Sequence, residues 1–274
     1  MNKLQFSVDH ERCVHCDACI QDCPRKIIHQ INGFPDVSPE EDDCLGCQHC
    51  LAICPTGAVS IFGLNPADSI PLDSTAFPTA EKMRALVCGR RTVRKYGEQN
   101  VNSALIDMLL ADTAHAPTGG NTCGLTFSVI DNRRELTALL VKIIEIIETV
   151  HADGREIPKF ILEGVRAYRR DGSDEVFRGA PHLLIVTADK KAYCGETDVI
   201  IALSYFELMA STEGIGTTWC GFIKFIIDTV PEVRGLLGIA PEHPFYAMAF
   251  GIPTVHYSRT VQRSHAAQIK TLRF

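Results

Sequence analysis

The chain has 274 residues, 46% of them apolar and 22% charged, with a net charge of −6 at pH 7. That length suits two domains of ordinary size. The negative balance argues against a nucleic-acid surface, and no run of about 18 apolar residues offers a membrane span.

The stretch from Met1 to Glu11 lacks the apolar core of a secretion signal, so a cytoplasmic protein is expected. Twelve cysteines are many for such a compartment, where disulfides are rare and metal ligation is the leading use of clustered thiols. Eight of them fall between positions 13 and 54, in two copies of one pattern. Cys13, Cys16, Cys19, Cys23 and Pro24 form the first, and Cys44, Cys47, Cys50, Cys54 and Pro55 the second, 31 positions on. Both read C-x2-C-x2-C-x3-C-P. Paired zinc sites are the competing reading, but zinc ribbons offer separated C-x2-C pairs rather than tandem quartets ending in proline. Between the copies, Ile27–Ile31, Asn32-Gly33 and Phe34 read as strand, type I′ turn and strand. Ile27, Ile53, Val59, Ile61 and Val8 are the expected small core. His15 and His49 sit inside the cysteine loops, either facing solvent or hydrogen-bonding toward the metal.

This repeat resembles the bacterial two-cluster ferredoxins across residues 1–64. The resemblance implies two 4Fe–4S clusters with crossed ligation, the fourth cysteine of each motif reaching the other cluster. One cluster would take Cys13, Cys16, Cys19 and Cys54, and the other Cys44, Cys47, Cys50 and Cys23. So small a domain is expected to be held together largely by its clusters.

Residues 65–80, with Pro66, Pro71 and Pro78, read as a linker, and residues 81–274 as a second domain. Helices are expected at 81–89, 101–112, 133–150 and 198–211, from apolar spacing of three and four residues. Asn132 and Glu135 read as a capping box for the third of these. The fourth is apolar nearly all round, which suits burial on most sides. Strands are expected at 125–130, 183–187, 217–222 and 245–251. Helices and strands are mixed without a barrel repeat, so the fold class is α+β.

Four segments stand out here. They are Arg90-Arg91-Thr92-Val93-Arg94-Lys95-Tyr96, Ala116-Pro117-Thr118-Gly119-Gly120-Asn121-Thr122, Gly214-Ile215-Gly216-Thr217-Thr218-Trp219-Cys220-Gly221-Phe222, and Gly251-Ile252-Pro253 followed by Arg259 and Arg263. Arginine is the residue of choice for a phosphate dianion, because its fork donates two parallel hydrogen bonds. Trp219 stands where a dinucleotide fingerprint needs its third glycine, which excludes that reading of Gly214–Gly221. In type and order the four segments resemble the FMN-dependent nitroreductases over residues 85–265. The resemblance implies an FMN site in which Arg90, Arg91, Thr92 and Arg94 serve the phosphate, ribityl chain and pyrimidine edge, Arg263 adds a second phosphate contact, and Arg259 lies nearby. Pro117, Thr118, Gly119, Asn121, Thr218, Trp219, Cys220 and Gly221 complete the expected cofactor contacts. Cys123 and Gly124 replace a longer polar residue and proline. Residues 153–178 are expected as a variable helical cover.

The resemblance further implies a homodimer with FMN at its interface, and helix 198–211 suits that interface. The expected activity is that of an FMN-dependent oxidoreductase. Electrons would pass from a ferredoxin-type protein or NAD(P)H through the clusters to FMN, and on to a small, nitroaromatic-like acceptor. No side chain reads as a catalytic acid. The alternatives are an electron-transfer module relaying electrons to a partner protein, and a cluster-based oxygen sensor.

Overall fold

The computed structural model describes residues 4–38, 43–73, 75–263 and 267–274. The chain divides into two compact units, Met1–Pro78 with Gly120–Thr122, and Thr79–Gly119 with Cys123–Phe274.

In the first unit, β1 (Ser7–Val8) pairs antiparallel with β4 (Val59–Ser60), and β2 (Ile28–Ile31) with β3 (Phe34–Val37). Two short helices, α1 (Ala18–Gln21) and α2 (His49–Ile53), each follow a cysteine loop. Asn32 and Gly33 both have positive φ (50° and 86°), as a type I′ turn requires. Ile27, Ile28, Leu51, Val59 and Ile61 make the core. Ile53, expected there, is 40% exposed. Leu51 and Ile53 lie about 200° apart around α2, so only one of them can face inward.

The second unit is built on an antiparallel sheet of order β5-β6-β8-β7, comprising Leu125–Ile130, His182–Ala188, Phe245–Gly251 and Gly216–Trp219 respectively. Its helices are α3 (Ala80–Gly89), α4 (Ser103–Thr113), α5 (Arg133–Ala152), α6 (Lys159–Asp171), α7 (Gly195–Thr212), α8 (Gly221–Thr229) and α9 (Glu232–Leu236). Strand alternation sends Leu184, Val186, Met248 and Phe250 to one face, where α4 and α7 cover them. Leu183, Ile185, Ala247 and Ala249 go to the other face, under α5, α6, α8 and α9. Asn132 caps α5 by accepting from the Arg134 N–H at 2.8 Å. The strand expected over 217–222 ends at Trp219, and Gly221 starts α8. The apolar run Trp219–Ile223 has no period that separates strand from helix. Among the described residues, no helix is long and apolar enough to cross a membrane.

Candidate functional site

The cysteine repeat is also a repeat of backbone shape. His15 and Gly46, Asp17 and Gln48, and Lys26 and Gly57 are pairs 31 positions apart, and all six have φ between 54° and 65°. Left-handed backbone is unfavourable for residues with a Cβ, so four non-glycine residues holding it at matched positions mark two loops wound in the same way. Asp17 and Gln48 are the residues from which α1 and α2 start. The result is two cavities. Cys13, Cys16, Cys19 and Cys54 line one, and Cys23, Cys44, Cys47 and Cys50 line the other. Among the described residues no three His, Cys, Asp or Glu side chains converge as for a single metal ion. Thiols spread around a cavity suit a cubane, in which four separate irons meet the four sulfurs.

Burial raises the Cys19 thiol and pushes Cys50 up to about 11, with Cys44 and Cys47 adding to the second shift. At Cys54 burial also acts upward, but donors from Ala58, Thr56 and Val59 outweigh it and hold that thiol below its ordinary value. The Ala58 N–H donates to Cys54 Sγ at 3.2 Å and the Gly46 N–H to Cys44 Sγ at 3.4 Å. His49 Nδ1 pairs with Asp22 Oδ2 at 3.0 Å, and His15 Nδ1 lies 3.1 Å from the Gly33 carbonyl.

In the second unit, three of the four segments lie against one another. Residues 90–97 run along β7. The Val93 N–H donates to the Thr217 carbonyl at 2.9 Å, and the Tyr96 hydroxyl donates to the Val93 carbonyl at 2.7 Å and meets Thr218 Oγ1 at 2.8 Å. The fourth segment closes the other side, with Gly97 N–H on the Ile252 carbonyl (2.8 Å) and Thr254 N–H on the Lys95 carbonyl (3.0 Å). Gly216 makes this seam possible, since a Cβ there would stand 2.7–2.9 Å from the Val93 side chain.

Arg90 Nη1 donates to Glu207 Oε1 on α7 at 3.0 Å. Arg91 Nη2 donates to the Cys88 carbonyl, and Arg91 Nε is buried without a partner. Arg94, Arg259 and Arg263 are exposed, and Thr92 is half-buried. Cys220 is buried, its thiol pushed up to about 12 by burial, and its Sγ faces the Thr218 carbonyl at 3.6 Å, so only its backbone is available to a ligand. The Trp219 ring meets Tyr246 edge-on at 5.4 Å.

The second segment is anchored elsewhere. Gly119 N–H donates to buried Asp198 Oδ1 at 3.0 Å, and Thr118 Oγ1 accepts from Cys123 N–H at 3.0 Å. Pro117 immediately precedes this turn. Asp198 and Glu207 are nine positions apart on α7, or about 13 Å along the helix. Asn121 groups with the first unit, where its Nδ2 donates to the Leu45 carbonyl at 3.0 Å.

Residues 87–252 match the nitroreductase family, and residues 12–58 match the 4Fe-4S dicluster domain. The chain belongs to the nitroreductase family. It is an oxidoreductase with an N-terminal ferredoxin-type 4Fe–4S dicluster domain. The nitroreductase domain shares its fold with an FMN-bound nitroreductase from Bacteroides fragilis, at 22% identity and TM-score 0.55, over 70% of this chain and all of that one. The dicluster domain is 33% identical over 57 residues to a ferredoxin of Methanothermococcus thermolithotrophicus, covering 20% of this chain and 93% of the ferredoxin. It is also 36% identical over 72 residues to the formate dehydrogenase-O iron–sulfur subunit of Escherichia coli, covering 25% of this chain and only 22% of that subunit.

Two side chains that hold the nitroreductase segments in place escape a reading by sequence. Asp198 and Glu207 lie in a helix whose apolar content suggests nothing but burial, yet each carboxylate is the acceptor for one of the expected cofactor segments. The only signal was a charge inside an apolar run, which demands a buried partner.

Proposed function

We propose that the chain is an FMN-dependent oxidoreductase in which two 4Fe–4S clusters pass electrons to FMN for the reduction of a small acceptor. One observation carries this reading. Two thiol quartets share a chain with a nitroreductase fold whose arginine seam keeps a buried donor, Arg91 Nε, without a protein partner. A buried unpaired guanidinium N–H is costly, and a phosphate oxygen is a fitting acceptor for it.

FMN, when bound, supplies hydride and single-electron chemistry that no side chain offers. The chain's own residues hold and orient it. Arg91, Arg94 and Arg263 neutralise the phosphate, with Arg90, Thr92 and Arg259 beside them. Thr218, Trp219, Cys220 and Gly221 offer backbone and ring to the flavin face. Pro117, Thr118 and Gly119 line the site from a second copy of the chain, a role supported by the roughly 13 Å that α7 puts between the Asp198 anchor of Gly119 and the Glu207 anchor of Arg90. The crossed quartets, Cys13, Cys16, Cys19 and Cys54 against Cys44, Cys47, Cys50 and Cys23, hold the clusters. Fusion keeps both clusters at high effective concentration around the flavin.

The donor is a ferredoxin-type protein or NAD(P)H. Anaerobic stopped-flow with a reduced low-potential ferredoxin tests the route, following cluster and flavin absorption separately. Flavin reduction should lag cluster reduction. A Cys47→Ala chain that reduces its flavin as fast as the wild type excludes the clusters as the entry route. A second reading, relay to a partner protein, draws on the likeness of the N-terminal part to an iron–sulfur subunit. Steady-state turnover of a nitroaromatic with the same donor favours the first reading, and its absence favours the second.

A further inference from the structure

We infer that Glu207 is a positioning residue for the phosphate end of the flavin site, acting through Arg90. The inference rests on the FMN reading above. Glu207 is 7% exposed on α7. Its Oε1 accepts from Arg90 Nη1 at 3.0 Å and from Thr217 Oγ1 at 3.3 Å. One carboxylate oxygen therefore holds the first residue of the arginine segment and the strand on which that segment lies. Val93 N–H on the Thr217 carbonyl completes a small closed knot.

A buried ion pair is a poor fastener. Two apolar side chains would join α7 to this seam at less desolvation cost. What the pair supplies is direction. A guanidinium is a rigid planar fork, and gripping one of its nitrogens fixes the plane of the rest. Glu207 is the sole hydrogen-bond partner of the Arg90 side chain among the described residues. The remaining N–H groups of Arg90 are thus aimed but unused. The adjacent Arg91 has its buried Nε without a partner. Of these two residues adjacent in the chain, one guanidinium is oriented by a carboxylate and the other keeps an open buried donor, and a phosphate dianion is a fitting acceptor for the free N–H groups of each.

Flavin competition on the full chain, purified anaerobically with its clusters, tests this. FMN and riboflavin differ only in the phosphate. Glu207→Gln keeps the size and an acceptor oxygen but removes the charge that orients Arg90. We expect FMN affinity to fall about ten-fold, the scale of one charge-assisted hydrogen bond, while riboflavin affinity changes less than about two-fold. Arg90→Lys, which keeps the charge and loses the fork, should give the same FMN-specific loss. The double variant should be no weaker than Arg90→Lys alone, because the two residues act as one unit. Unchanged riboflavin binding also certifies that each variant is folded. Equal loss of both flavins would make the knot a structural latch and overturn the inference. Tighter FMN binding by Glu207→Gln would make Glu207 a mere counter-charge and overturn it as well. A wild-type chain that binds FMN no better than riboflavin would instead remove the phosphate reading on which the inference rests.

Discussion

The two units of this chain are held together by different means. Among the described residues the first unit has one core cluster of seven buried residues, two of which are Cys19 and Cys50. The second unit has core clusters of 25 and 15 buried residues on the two faces of its sheet. A core of seven cannot offset the conformational entropy of some sixty ordered residues, and several of those residues sit in unfavourable left-handed backbone. Bound metal is the remaining source of stability. The second unit owes its fold to burial, and its cofactor adds only a binding increment. The comparison teaches that removing a cofactor should have opposite structural consequences in the two halves.

The largest effect therefore comes from removing iron. Chelation under reducing conditions should abolish hydrogen-exchange protection over residues 4–64 while the sheet of the second unit keeps its protection and a cooperative thermal transition. If the N-terminal segment stays protected without iron, its fold is sustained by packing and the contrast is broken.

Next in size is the loss of one cluster. Cys23→Ala should destroy the cluster held by Cys44, Cys47 and Cys50, and Cys54→Ala the one held by Cys13, Cys16 and Cys19, because these are the thiols that line each cavity. Iron and sulfide should fall by about half in each variant. Resonance assignment of the surviving cluster decides the matter, and each substitution removing the cluster of its own motif would refute the crossed arrangement.

Smaller again is the phosphate contact in the second unit. Arg91→Ala should weaken FMN by about ten- to a hundred-fold, or roughly 1.5–3 kcal/mol, and leave the iron content untouched. A chain that retains its FMN on dialysis after this change would mean that the buried Nε is not a cofactor donor.

The two halves also differ in how far sequence reveals them. Cluster ligation is local, so the spacing of eight cysteines announces both cavities, and the glycines at 46 and 57 show where the second loop turns left-handed. The first loop places His15 and Lys26 at the matching positions, residues that give no such notice. The α+β class and most elements of the second unit followed from apolar periodicity, with the 245–251 strand at the expected bounds. The joins were hidden. That Gly216 must lack a Cβ depends on Val93, more than a hundred positions away in the chain, lying against it. That Glu207 belongs to the arginine segment depends on a helix crossing that no local pattern encodes. The sequence places Cys220 in a flavin-facing strand over 217–222; the strand ends at Trp219, three residues short of that, and the thiol turns into the core.

That buried thiol supplies the smallest and most selective test of a unit held by packing. Burial pushes Cys220 up to about 12 from an ordinary value near 9. Below pH 9 the thiol is protonated whether the chain is folded or not, and the group adds no pH dependence. Above pH 9 the unfolded chain releases the proton while the folded chain keeps it, so stability falls as pH rises, through to about pH 12. Between pH 9 and 10 the loss from this one group should be about 1 kcal/mol. Tyr96 and Tyr246, also raised by burial, contribute mainly above their ordinary value near 10, and the raised thiols Cys19 and Cys50 belong to the first unit, so within the second unit the window belongs mainly to Cys220. Trp219 is the only tryptophan and lies in this unit against Tyr246, so its fluorescence in denaturant reports the second unit alone. Cys220→Ala should lower stability at pH 8 by removing a packed sulfur, and should flatten the decline between pH 9 and 10. An unchanged slope in the variant would mean that the thiol is open to solvent, and that this end of the sheet is not the dry core from which the comparison of the two units begins.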